Sequence, residues 1–172
     1  HIHQPGIAVG GHCIPIYPRM YLWNDPEATI VRAAREANAQ MPNYAAAQLE
    51  AVHGPLAGQA VVVLGAAYRG GVKETAFSGV FPLVADLVGR GATVYVHDPM
   101  YTDAELQDLG FEPYRVGRPA DSVVVQTNHS EYADLTSEDV PGVRTVVDGR
   151  RVLKQDAWNV DTFVVLGRAQ AG

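Results

Sequence analysis

From Ala60 onward the chain alternates short, unbroken apolar runs with amphipathic stretches, and that alternation leaves few folds open to it. The run "AVVVLGAAYRGG" ends in glycines, as expected of a strand buried on both faces that feeds a tight turn. Leu83, Val84, Leu87 and Val88 share one helical face and stop at Gly89 to Gly91. "TVYVHD" reads as the next strand. "TDAELQDLG" follows, with Thr102 and Glu105 spaced as a capping box and Gly110 as the stop. "DSVVVQT", "RTVVD" and "TFVVLG" are three further short strands. Strands and helices in this order imply an α/β fold with a doubly wound, mostly parallel sheet. Ligands of such sheets sit beyond the carboxyl ends of the strands. Those ends are Gly65 to Gly71, Asp98-Pro99, Thr127 to Ser130 and Asp148 to Arg150.

Ahead of the sheet lies a helical pattern. Asp25-Pro26 supplies an N-cap and a first-turn proline, with Glu27 well placed for the helix dipole. Ile30, Ala34, Ala37, Met41 and Ala45 then recur at spacings of four and three, and Leu49 and Val52 continue the face. Pro42 is expected to kink this helix, and "HGPLAGQ" ends it. A helix this long, leaving one small domain, packs on something else, such as a second subunit.

Earlier still, "GIAVGGHCIPIYPRMY" holds the only cysteine. A lone cysteine is by default a small buried hydrophobe. Here Gly10 and Gly11 let the backbone approach a ligand closely, and successive amides in such a turn stabilise an anion. A thiol with an ordinary pKa of about 8.5 is mostly protonated at pH 7, so a nucleophile at Cys13 needs those amides or a nearby cation. His12 is read as structural, because neighbours on an extended chain point opposite ways.

A length of 172 residues suits one α/β domain with an extra element. The net charge of −6 and the lack of a Lys/Arg run argue against a general nucleic-acid or anionic-membrane binder. One cysteine excludes an internal disulfide and fits a reducing cytoplasm. No stretch reaches the roughly 18 to 20 apolar residues of a membrane span. The opening, "HIHQPGIAVGG", is no signal peptide and does not look like a natural beginning, so a fragment is expected. "HIH" at 1 to 3 lacks the further ligands of a metal site, and no metal is expected. "GAAYRG" at 65 to 70 is a poor dinucleotide fingerprint, with Ala67 where the pyrophosphate needs glycine. Asp98 stands where an acid often meets a ribose, or else simply caps a loop. "DGRR" at 148 to 151 holds a phosphate through Arg150 or Arg151, or is a solvated turn.

Taken together, the chain resembles the UDP-glucose/GDP-mannose dehydrogenase family, in its C-terminal portion only. "PGIAVGGHCIPIYP" is similar to the loop carrying that family's catalytic cysteine, and "VRAAREANAQMPNY" to the start of its central dimerisation helix. "VVVLGAAYRGGVKETAFSG", "VYVHDPM" and "QTNHSEYADL" match turns of its UDP-binding domain. The resemblance implies a cysteine loop segment at 1–23, a dimerisation helix at 24–54 and a Rossmann-like UDP-sugar-binding domain at 55–172. The NAD-binding N-terminal domain, which holds most of the cofactor, is absent, so this chain alone is expected to be inactive. The implied reaction is oxidation of a sugar C6 alcohol to the acid with NAD, in polysaccharide biosynthesis. The implied nucleophile is Cys13. Gly10, Gly11 and Arg69 would bind substrate, Arg35 and Asn38 would pack an interface, and a homodimer would form through the helix.

"GGHCIP" resembles the UDP-N-acetylhexosamine dehydrogenases, which points to UDP-N-acetyl-mannosamine or -glucosamine. Two positions depart from the family pattern. Tyr17 stands where members carry an aspartate, and a phenol of ordinary pKa near 10 is a poor base at neutral pH. Ala76 stands where they carry an arginine, for which Lys73 is a candidate substitute. Those losses and the missing domain favour one alternative to the first reading, a non-catalytic UDP-sugar-binding and dimerisation module; a UDP-glucose 6-dehydrogenase is a further alternative.

Overall fold

A computed structural model describes residues 6–167, and the histidines at 1 and 3 lie outside them. Five strands, β1 (Ala60–Leu64), β2 (Thr93–His97), β3 (Ser122–Val125), β4 (Thr145–Asp148) and β5 (Thr162–Val165), form one sheet in the order β2-β1-β3-β4-β5. Every pairing is parallel. All five fall on the apolar runs of the sequence, because a β-branched residue at nearly every position suits a strand covered on both faces. Successive residues serve opposite layers. Val61, Val63, Val94, Val96, Val124, Val147 and Val164 face one core, and Val62, Leu64, Val123, Val125 and Val146 face the other.

The first core is roofed by α2 (Thr29–His53) and α3 (Val80–Gly89). The second is roofed by Tyr114, Tyr132, Val140 and Trp158, carried on extended segments and short 3₁₀ turns. Pro113, Pro119 and Pro141 interrupt those segments, and proline withholds the amide that a longer helix needs. The second winding therefore exists without full helices. The short α4 (Asp103–Asp108) starts on the predicted capping box, with both the Thr102 and the Glu105 halves formed. Outside β2, Val96 N donates to Glu112 O (2.8 Å) and Tyr114 N to Val96 O (2.8 Å), which covers the free edge of the sheet.

The cysteine segment differs from the sequence reading. Residues 13–24 are not a loop but a 12-residue helix, α1 (Cys13–Asn24). Pro15 sits in its first turn, where the missing amide would have had no partner, and only Pro18 removes an internal bond. Asp25 accordingly caps the end of α1 rather than the start of α2, its Oδ1 accepting from Glu27 N at 3.2 Å. Helix α2 begins four residues later, at Thr29, and runs through Pro42 without a break.

The predicted apolar face of α2 divides in two. Ala45, Ala46 and Leu49 are fully buried against α3 and the sheet, whereas Ile30 is 83% exposed and Ala34 and Ala37 are open. The buried end is pinned at the amino edge of the sheet. His53 Nδ1 lies 2.9 Å from Thr145 Oγ1 and 3.1 Å from Ser122 Oγ, and Arg90 at the end of α3 pairs with Glu50 and Asp86. The two ends should respond differently to truncation. Leu49→Ala should cost about 2–5 kcal/mol in urea unfolding of the chain. Ile30→Ala should stay within about 0.5 kcal/mol of the parent.

Candidate functional site

The strand order reverses between β1 and β3, so the crevice where this fold places ligands lies beyond their carboxyl ends. One buried carboxylate organises that edge. Asp98, at the end of β2, accepts from Ala66 N (2.9 Å) and Ala67 N (3.0 Å) through Oδ2, and from Met100 N (3.0 Å) through Oδ1. His129, beyond β3, donates Nε2–H to the same Oδ2 at 3.1 Å and accepts Gly71 N at Nδ1 (3.4 Å). Burial alone would raise the Asp98 pKa. The bonds from His129, then from the Ala67 and Met100 amides, outweigh it and hold the carboxyl below its ordinary value.

This settles what Asp98 and "GAAYRG" do. The carboxylate is turned into the protein and is not open to a ribose. The amides of Gly65, Ala66, Ala67, Tyr68, Gly70 and Gly71 all bond to protein atoms: His97 O, Asp98, Asp98 again, Glu74 O, Asn128 Oδ1 and His129 Nδ1. A turn so engaged does not fit a dinucleotide pyrophosphate, which needs those donors free. Gly65 serves another end, since at φ +105 a Cβ there would fall 2.1 Å from Thr127 Cβ.

The cysteine segment is seated on this same edge. Ile7 is fully buried against Gly79 and Gly149. Gly11 N donates to Ala76 O at 2.8 Å, and Asn38 of α2 holds Val9 through its carbonyl (2.8 Å) and its amide (3.3 Å). Gly10 is packed so closely that a Cβ would meet Tyr68 Cβ at 2.6 Å and Phe77 O at 2.7 Å. Cys13 follows, exposed, as the first residue of α1, where the positive end of the helix dipole favours negative charge.

A cleft of about 310 Å³ opens beyond the carboxyl ends of β3 and β4, lined by Asn128, Arg150, Arg151 and Val152. Arg150 is half-buried. Its Nη2 donates to Tyr68 O at 3.2 Å, its Nε has no partner among the described residues, and burial lowers its pKa. An incompletely paired guanidinium at a ligand edge suits an anion. Arg151 also lines a second cleft of about 310 Å³ with Asp148, Leu153, Gln155, Phe163 and Val165. Among the described residues three non-glycines have positive φ, Ala8 (66°), Phe77 (51°) and Arg151 (55°), and all surround this edge, where strain of that kind tends to mark function.

The structure thus packs Gly10 and Gly11 against the β1 turn, with Cys13 following them on the start of α1 and Arg69 exposed on that turn. Tyr17 lies exposed one turn along α1. Lys73 points elsewhere, pairing with Glu105 at 2.5 Å and lying over Tyr101. Ala76 offers a backbone carbonyl to Gly11, and Phe77 places an exposed ring under Arg19, 5.3 Å from its centroid. Sequence reasoning missed His129 and the loop-holding role of Asn38. The signal for His129 was a polar run, "QTNHS", directly after a fully buried strand.

Residues 62–155 match the model described as UDP-glucose/GDP-mannose dehydrogenase family, UDP binding domain. The chain belongs to that family. It is 32% identical over 162 residues to a UDP-N-acetyl-D-mannosamine dehydrogenase of Pyrococcus horikoshii, covering 90% of this chain and 38% of the relative. A protein of the same name from Methanocaldococcus jannaschii is 28% identical over 170 residues, covering 95% of this chain and 39% of the relative. The solved structure of a UDP-glucose dehydrogenase from Pyrobaculum islandicum superposes with a TM-score of 0.81 at 28% identity, over 95% of this chain and 39% of that one. The chain therefore spans about two fifths of these relatives, in the C-terminal portion of their length. Within this family member, no helix of the described residues is long and apolar enough to cross a membrane, and no cluster of three metal-ligating side chains occurs among them.

The Asp98 network makes a testable demand on this domain. Asp98→Ala orphans buried amides and should cost at least about 3 kcal/mol in urea unfolding. Because the folded pKa is depressed, the contribution of Asp98 is complete above its unfolded value of about 3.9 and fades as pH falls through the folded value. The gap between parent and variant should therefore narrow as acid is added below pH 4.

Proposed function

We propose that this chain is the substrate-binding C-terminal part of an NAD-dependent nucleotide-sugar 6-dehydrogenase, with Cys13 as its nucleophile. The observation that carries the reading is the exposed thiol at the start of α1, held by a glycine loop on the ligand edge of a UDP-binding-type sheet. UDP-N-acetyl-mannosamine is the favoured substrate, after the names of relatives it resembles, with UDP-N-acetyl-glucosamine the neighbouring choice.

In this reading the diphosphate lies in the cleft by Arg150 and Arg151, Arg69, exposed on the β1 turn, is a further cation for the substrate, and Gly10 and Gly11 let the sugar approach the loop. The Cys13 sulfur adds to the C6 aldehyde, and the new hydroxyl of the thiohemiacetal takes up the proton. Loss of a hydride from carbon and of the proton from that hydroxyl leaves a thioester, and water cleaves the C–S bond to release the acid and restore the thiol. Covalent capture keeps the reactive aldehyde from escaping between the two oxidations. Accepting the hydride is the chemistry that a nicotinamide dinucleotide supplies, and it belongs to the portion of the relatives that this chain does not span.

Replacing the nucleophile tests the reading. In the dehydrogenase carrying this chain, Cys13→Ser should lower acid formation by at least 10³-fold, on the scale of losing a covalent catalyst. Full turnover by that variant would refute the assignment.

We also propose a homodimer through residues 26–52. Support comes from Trp23 and Ile30, which are 88% and 83% exposed where α1 meets the free half of α2. Light scattering of the chain should give twice the monomer mass. A monomer at high concentration would count against it.

A further inference from the structure

The second half of the proposed chemistry, cleavage of a thioester, needs a group that takes a proton from water. Tyr17 is an exposed phenol one turn further along α1 and has no polar partner among the described hydrogen bonds. His12 is differently placed. Its backbone is already helical, at φ −94° and ψ −57°, so its side chain diverges from that of Cys13 by about 100° around the helix instead of pointing oppositely. Both side chains are exposed on the same turn.

The His12 ring is oriented by a carboxylate. Its Nε2 lies 3.4 Å from Glu74 Oε2. Glu74 is in turn fixed from behind, because its Oε1 accepts from Ala76 N at 2.9 Å, and Ala76 O receives Gly11 N. Loop and turn thus form one closed circuit: Gly11 to Ala76, Ala76 to Glu74, Glu74 to His12, and His12 back along the chain to Gly11. The Ala76 amide first, then His12, hold the Glu74 carboxyl below its ordinary pKa, so at neutral pH it acts as an acceptor. An acceptor at Nε2 selects the tautomer with the proton there and leaves the Nδ1 lone pair free. A distance of 3.4 Å is long, as such contacts often are before a ligand binds, and it should tighten as charge develops on the ring.

We propose that His12, positioned by Glu74, is the general base for hydrolysis of the acyl-Cys13 thioester. The inference rests on the thiol reading above. In the step, His12 Nδ1 takes a proton from water as the water oxygen bonds to the thioester carbon. The C–S bond then breaks, Cys13 leaves as thiolate, and the imidazolium returns the proton to the sulfur. No oxidant enters this step. His12 is the catalytic residue and Glu74 the positioning residue.

The chain's single exposed thiol allows a test without substrate or cofactor. Cys13 is acetylated with excess acetylating reagent, and loss of the thioester, identified by its sensitivity to hydroxylamine, is followed by mass spectrometry from pH 5 to 9. The parent rate should rise with pH and level off within this window, and it should be lower in heavy water. His12→Ala should be slower by at least tenfold at pH 7.5, at the lower end of what a general base supplies, and free imidazole should restore part of the rate. Glu74→Gln keeps an oxygen for the Ala76 amide. It should be several-fold slower, because the ring has lost the carboxylate that orients it.

Equal rates in parent and His12→Ala would overturn the proposal. So would a parent rate that simply tracks hydroxide, or slowing by His12→Ala without imidazole rescue or change in pH profile, which would mark a structural role. Failure of the thiol reading is seen separately. A Cys13→Ser dehydrogenase that still forms acid removes the thioester from the reaction, whatever the deacylation rates of the isolated chain.

Discussion

A single buried carboxylate fixes the shape of the ligand edge. Asp98 receives the amides of the β1 turn, the amide of Met100 and the imidazole of His129, and so joins the ends of β1, β2 and β3. A carboxylate sealed from water is tolerable only when its oxygens are fully bonded, and each of these bonds is stronger for the charge it meets. The same bonds decide what the edge does not do. The amides that grip a pyrophosphate in a dinucleotide-binding domain of similar topology are turned inward here, toward Asp98 and its neighbours. The doubly wound sheet is thus kept, while its usual phosphate cradle is closed.

With that turn closed, the ligand features lie elsewhere on the same edge. The cleft beyond β3 and β4 offers Arg150 and Arg151, and the cysteine loop presses onto the β1 turn from the other side. Positive φ at Ala8, Phe77 and Arg151 shows that these segments are held in place by contacts that outweigh local preference. Helix α2 contributes from a distance, since Asn38 holds the loop through Val9 while its last turns bury Leu49 in the domain. One long helix therefore couples the cysteine loop to the sheet and leaves its first half exposed.

Much of this was readable in the chain. All five strands, α3 and the capping box of α4 fall where apolar runs, glycine stops and Thr102-x-x-Glu105 put them, because burial on both faces leaves a dense local signature. Helix α1 was not readable, because Pro15 and Pro18 mimic a loop until one sees that the first falls in the opening turn, where a missing amide is harmless. The start of α2 was misplaced for a related reason: Asp25-Pro26 has the composition of a helix start but serves as the joint between two helices.

The linear order of residues determined the alternation of strands and helices and the parallel sheet. These depend on patterns a few residues long, with burial as the only outside requirement. The tertiary structure alone decided the partners: Asp98 with His129, Asn38 with Val9, and His12 with Glu74. Each pair lies 29 or more residues apart in the chain, and whether two such side chains meet depends on backbone angles and packing that no local pattern encodes.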